Sequence, residues 1–154
     1  MTTSTKSLPK NGPNGSDLST GLVGGHAYTL LAGYEIYQDN SKTWNLIDAQ
    51  TRLKIKEGNK SFDYLKGTQI VRLLKLRNPW GQMEWKGEFS DESRIWQSFP
   101  ELKNILSHNV SPQDGIFFIR FEDWSSITMS IRYATTTTSI STPVRGTKRK
   151  SQNL

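Results

Sequence analysis

An α+β fold, mainly antiparallel β-strands with a few short helices, is predicted by three features of this 154-residue sequence. Apolar segments of strand length recur at 26–37, 68–77, 115–121 and 128–134. A turn signal, Asn78-Pro79-Trp80-Gly81, closes the second of them; proline fixes one φ there and glycine admits a positive one. Ser98-Phe99-Pro100-Glu101 has the spacing of a capping box, and Leu102, Ile105 and Leu106 follow as a short helical stripe. Taken in order, His26 to Tyr37 is rich in aromatic and aliphatic residues. Arg72 and Lys75 interrupt an otherwise apolar strand between Thr68 and Arg77. Asp123 caps a single helical turn before the last strand.

The length suits one domain with a real core. The apolar fraction of 34% is low, as is the mean hydropathy of −0.61, so part of the chain is expected to stay unpacked. Residues 1–20 are rich in Thr, Ser, Asn, Gly and Pro, and 135–154 begin TTTTSISTPV; both read as disordered, with too little apolar surface to offset chain entropy. The ordered domain is then 21–134. Within it, 38–66 reads as a polar, lysine-rich surface insertion.

Several classes of function are excluded or disfavoured. No run approaches the roughly 20 apolar residues of a membrane span. Met1 to Ser16 lacks the apolar centre of an export signal, so an intracellular, cytoplasmic protein is expected. Net charge is +6, but Arg145, Lys148, Arg149 and Lys150 supply four of the 20 basic residues, leaving 16 against 14 acidic ones. That basic tail reads as a solvated end, not a nucleic-acid surface. There is no cysteine, which rules out disulfides, cysteine-rich zinc sites and a thiol nucleophile from these residues.

Two segments carry candidate chemistry, GLVGGHAYTL around His26 and KLRNPWGQMEWKG around Asn78. A histidine opening a strand after two glycines can be approached closely, and its pKa range suits a general base. It can equally be an ordinary strand-end histidine. Asparagine in a Cys-His-Asn arrangement accepts a hydrogen bond from the imidazole and fixes its tautomer, and a neighbouring indole shields that bond. Asn78 before proline is also a common turn residue.

Together, GHAY and RNPWGQMEWKGEFSDES closely resemble the second protease-core subdomain of calpains, and the likeness continues through Asp114-Gly115, Phe117 to Phe121, Asp123 and the strand of Arg132. The resemblance implies the second half of a papain-like protease fold. It makes His26 the catalytic base, Asn78 its orienting partner, and Trp80 the mobile tryptophan that obstructs the cleft when calcium is absent. A cysteine-bearing partner subdomain would supply the nucleophile, and intracellular proteins the substrates. The resemblance also implies calcium as cofactor, on Glu84, Asp91 and Asp114 with a carbonyl near Pro112. Ile116 stands where the family has a further acidic residue, which weakens the site. Glu88 and Glu92 lie near enough in sequence to compensate.

The expected function is thus part of a calcium-dependent cysteine endopeptidase, inactive on its own. The alternative is a non-catalytic calpain-like module that binds calcium or a partner. His26 and Asn78 lie further apart in sequence than in typical calpains; a hairpin within 38–66 would leave the pair intact, whereas a displaced Asn78 strand would break it.

Overall fold

The structure, a computed structural model, describes residues 1–58, 60, 65, 68–108, 111 and 114–132. Six antiparallel strands form one sheet: β1 (Thr2–Thr5), β2 (Ala27–Gln38), β3 (Trp44–Leu46), β4 (Ile70–Arg77), β5 (Ile116–Arg120) and β6 (Thr128–Arg132). Their order is β5-β4-β2-β1-β6, with β3 also paired to β2. Among the described residues four short α-helices accompany it: α1 (Ala49–Lys56), α2 (Ile95–Ser98), α3 (Glu101–Ile105) and α4 (Phe121–Ile127). The predicted α+β class is what the chain adopts.

Strand alternation divides the core in two. Val71 and Leu73 of β4, with Phe118 of β5, join Phe89, Trp96, Leu102 and Leu106 on one face of the sheet. Leu74 and Leu76, with Phe117 and Ile119, join Leu22, Tyr28 and Trp124 on the other. Both faces of β4 and β5 are therefore covered, which explains their near-continuous apolar runs. The two charges inside β4, before its terminal Arg77, sit at the borders of this packing. Arg72 reaches Glu122 at 2.9 Å and lies over the Phe121 ring at 4.5 Å, while Lys75 lies 5.3 Å from the Phe118 ring.

The long strand β2 serves both faces because its pairing with β4 shifts register between Leu30 and Ala32. Tyr28 and Leu30 belong to one cluster, yet Tyr34 and Ile36, of the same parity, belong to the other. One bulged residue reverses the sidedness of everything after it.

Residues 1–20 depart from the expected disorder. β1 is an interior strand, paired to both β2 and β6. Its side chains need little apolar area, because their buried hydroxyls are hydrogen-bonded. Trp124 Nε1–H donates to Thr3 Oγ1 at 3.1 Å, and Thr5 Oγ1–H donates to the Val23 carbonyl at 2.6 Å. A composition argument cannot see backbone pairing. Asp17, also buried, is held below the usual carboxylate range, chiefly by the Ser19 hydroxyl.

The capping box does not form. Ser98 closes α2, and α3 begins after Pro100 with no side-chain cap. Asp123 likewise does not cap; it lies in the first turn of α4, which starts directly after β5. In 38–66, the described residues are more than a solvated loop. β2 and β3 form a hairpin, Asp48 caps α1 by accepting the Thr51 N–H at 2.6 Å, and Ile47 and Leu65 are buried. β3 pairs with residues 36–38, at the end of β2 remote from His26. At about 3.3 Å per residue the hairpin lies roughly 30 Å from that histidine. The basic tail, residues 133–154 and the Pro112 carbonyl lie outside the described residues.

Candidate active site

His26 precedes β2 and Asn78 follows β4, and since these strands are neighbours their ends converge. His26 Nε2 lies 2.8 Å from Asn78 Oδ1. Which nitrogen carries the proton follows from the amide. Asn78 Nδ2 donates to the Gln82 carbonyl and, at 3.2 Å, to the Met83 carbonyl, so Oδ1 must face the imidazole. An acceptor there makes His26 the Nε2–H tautomer and leaves Nδ1 with the lone pair a base requires.

Asn78 is fully buried and its turn is closed on every side. Trp80 N–H donates to Oδ1 at 3.0 Å, and Gly81 N–H to the Asn78 carbonyl at 3.0 Å. Asn78 N–H donates to the Gly115 carbonyl at 2.8 Å. The Trp80 indole, 53% exposed, lies over the imidazole with ring centroids 4.1 Å apart, and Tyr28 meets its edge at 5.1 Å. His26, Asn78 and Trp80 thus come together as one unit.

Sequence reasoning overlooked the support beneath His26. The backbone of Thr5 donates to the His26 carbonyl at 3.1 Å, and Thr5 Oγ1 accepts the His26 N–H at 3.1 Å. The Tyr28 hydroxyl accepts the Val23 N–H at 2.9 Å. Burial pushes the Tyr28 phenol up to about 12, so that hydroxyl remains neutral. Thr5 shows no local motif; only the pairing of β1 with β2 brings it in.

The three acidic candidates act on one another electrostatically. Burial, then the neighbouring Glu84 and Asp114 charges, push Asp91 up to about 7. Burial also raises Glu84, against the hydrogen bond its Oε1 accepts from Gly115 N–H at 2.8 Å. Asp114 Oδ1 accepts the Ile116 N–H at 2.7 Å. Asp91 Oδ1 is buried with no hydrogen-bond partner, the kind of atom a cation would satisfy. Even so, among the described residues no three His, Asp or Glu side chains are spaced to hold a metal ion. Glu84 and Asp91 fit part of a cation site, with Asp114 contributing charge. A pocket of about 420 Å³, walled by Gly21, Met83, Trp85 and these two carboxyls, opens beside them.

His108, which the sequence did not single out, lies 3.9 Å from Asp91 Oδ1. The two are not an ion pair at neutral pH. Burial, with Lys103 and Lys75 nearby, holds the imidazole down to about 4, and it stacks on Trp96 at 4.1 Å. Asp91 and His108 therefore bend stability in opposite directions. Between about pH 4 and 7 the native chain keeps an Asp91 proton that the unfolded chain has lost, so stability falls as pH rises. Between about 4 and 6.5 the unfolded chain binds a His108 proton that the native one refuses, so stability rises. Over the shared window the slopes largely cancel. Asp91→Asn removes one of them, and its melting temperature should climb from pH 4 to 6.5 while the parent's stays nearly flat. A parent and variant with parallel thermal-melt profiles would refute this.

Comparison with known proteins gives one consistent result. The family described as calpain family cysteine protease matches residues 1–134. Calpain-5 of Mus musculus is 30% identical over 106 residues, 69% of this chain and 13% of that protein. Calpain-9 of Rattus norvegicus is 42% identical over 59 residues, 38% of this chain and 8% of that protein. The calpain-1 catalytic subunit of Macaca fascicularis is 42% identical over 57 residues, 36% of this chain and 8% of that protein. The chain spans only about a tenth of the length of these relatives.

Proposed function

Because this chain belongs to the calpain family of cysteine proteases, we propose that it contributes the general base and its orienting asparagine to a calcium-regulated cysteine endopeptidase. A separate cysteine-bearing subdomain provides the nucleophile. The observation that carries this is the 2.8 Å contact between His26 Nε2 and Asn78 Oδ1, with the amide locked from behind by Gln82 and Met83.

In this reading Nδ1 of His26 takes the proton from the partner's thiol, and the thiolate attacks the scissile carbonyl of a protein substrate. The imidazolium formed is held by the side-chain Oδ1 of Asn78, and it returns the proton to the leaving amine as the C–N bond breaks. Trp80 covers the imidazole and shields the Nε2–H bond from water, so its displacement is part of admitting the thiol. Bound calcium would neutralise the Glu84 and Asp91 carboxylates, whose loop continues from the Gln82 and Met83 carbonyls that hold Asn78. That continuity is how a cation there would reach the dyad.

A non-catalytic, partner-binding role is the second reading. It is favoured by Ile116, whose side chain offers no oxygen ligand. Peptide hydrolysis separates the two. The chain by itself should show no turnover. Mixed with a calpain cysteine-bearing subdomain it should turn over peptide in a calcium-dependent manner. Thiol-inhibitor-sensitive cleavage by the chain alone would overturn the proposal, and so would an inert complex of two folded, bound partners.

No helix among the described residues is long and apolar enough to cross a membrane.

A further inference from the structure

We infer that Thr5 is a positioning residue for His26, a clamp from a strand remote in sequence that fixes the imidazole for its bond to Asn78. This rests on reading His26 as the base.

The turn that carries His26, residues 23–26, has little rigidity of its own. It contains Gly24 and Gly25, the latter at φ +67° with open space where a Cβ would stand. Two glycines in a row leave an unpaired segment free to wander. Backbone bonds and the Tyr28 hydroxyl hold parts of it, and one side chain ties its two ends together. Thr5 Oγ1–H donates to the Val23 carbonyl at 2.6 Å, and the same oxygen accepts the His26 N–H at 3.1 Å. The Thr5 backbone N–H donates to the His26 carbonyl at 3.1 Å, and the Lys6 carbonyl accepts Gly25 N–H at 2.9 Å. The hydroxyl thus spans both ends of the diglycine turn.

Position and burial agree with that role. Thr5 is 1% exposed. The pairing of β1 with β6 shifts register between Ser4 and Thr5, leaving Met129 as the extra residue. Bulges commonly occur beside functional sites, where they re-aim a side chain. A serine hydroxyl has the same bonding capacity, whereas valine has the shape without it.

The chain's two histidines make the test internally controlled. Long-range ¹H–¹⁵N spectra of the labelled full chain report the tautomer of each imidazole. His108 packs against Trp96 and Phe118 in the core cluster opposite Tyr28, so its signals report the fold. The wild type should show His26 as a fixed Nε2–H tautomer, and Thr5→Ser should preserve it. Thr5→Val should lose the fixed tautomer, with the His26 backbone amide exchanging roughly tenfold faster, while the His108 signals stay in place. A fixed Nε2–H tautomer in Thr5→Val with His108 unchanged overturns the clamp and leaves the dyad standing. A mixed tautomer already in the wild type overturns the dyad instead. If Thr5→Val also loses its His108 signals, Thr5→Cys, a weaker donor of similar size, is read the same way. Loss at His26 alone upholds the clamp, and retention at both overturns it.

Discussion

His26→Ala is expected to lower turnover of the reconstituted enzyme by at least about 10²–10⁴-fold, the usual worth of a positioned acid–base group. The half-buried ring spends its one hydrogen bond on Asn78, so the variant should melt close to the parent and still bind its partner subdomain. Asn78→Ala should behave differently, because Asn78 is fully buried. Losing its amide leaves the Gln82 and Met83 carbonyls without a donor and the Trp80 N–H without an acceptor. These groups are only part-buried, so each orphan costs about 1 kcal/mol, the lower end of the range for buried ones. Asn78→Ala should therefore lose both thermal stability and turnover, the latter by about 100-fold through misplacement of the imidazole. Turnover of His26→Ala within about tenfold of the parent, a 1.4 kcal/mol difference in barrier, would remove His26 from the chemistry.

Gly115→Ala should be strongly destabilising. Gly115 sits at φ +79°, and a Cβ there would lie 2.6 Å from the Asn78 carbonyl oxygen and 3.0 Å from the Gly81 Cα. Both are backbone atoms of the turn that holds the dyad, so neither can step aside without moving Asn78. The same residue accepts the Asn78 N–H and donates to Glu84, joining the dyad turn to the acidic pair. Left-handed strain at about 1–2 kcal/mol and overpacking at about 1–3 kcal/mol predict a loss of roughly 2–5 kcal/mol. Gly58 supplies the control: its φ is +75°, yet among the described residues nothing lies within 4 Å of its notional Cβ. Gly58→Ala should cost only the backbone strain, about 1–2 kcal/mol. Equal drops in melting temperature for the two variants would show that crowding against Asn78 is not what Gly115 avoids.

Residues that act through local chemistry were legible in the sequence. Histidine after two glycines and asparagine in an Arg-Asn-Pro-Trp-Gly turn stand out by residue type and spacing, and the fold brings the two side chains together. The strand positions were legible for a similar reason, since alternation and apolar runs are properties of consecutive residues. Features made by residues far apart were not. The paired core faces depend on a bulge at Leu31, which no periodicity marks. Ser98 looked like a cap, but its own segment had already become α2.

What the sequence by itself determined is the chemical inventory: an imidazole, a side-chain amide, an indole, a set of carboxyls and no thiol. What only the tertiary structure decided is how they are held. An N-terminal segment too polar to predict as ordered enters the middle of the sheet, because backbone pairing and two buried threonine hydroxyls satisfy it where apolar burial cannot. From there it sets the turn on which His26 stands. Hydrogen bonds between residues 21 positions apart, such as Thr5 to His26, have no signature in either segment alone. They exist only once β1 lies beside β2, and on them depends whether the inventory becomes a site.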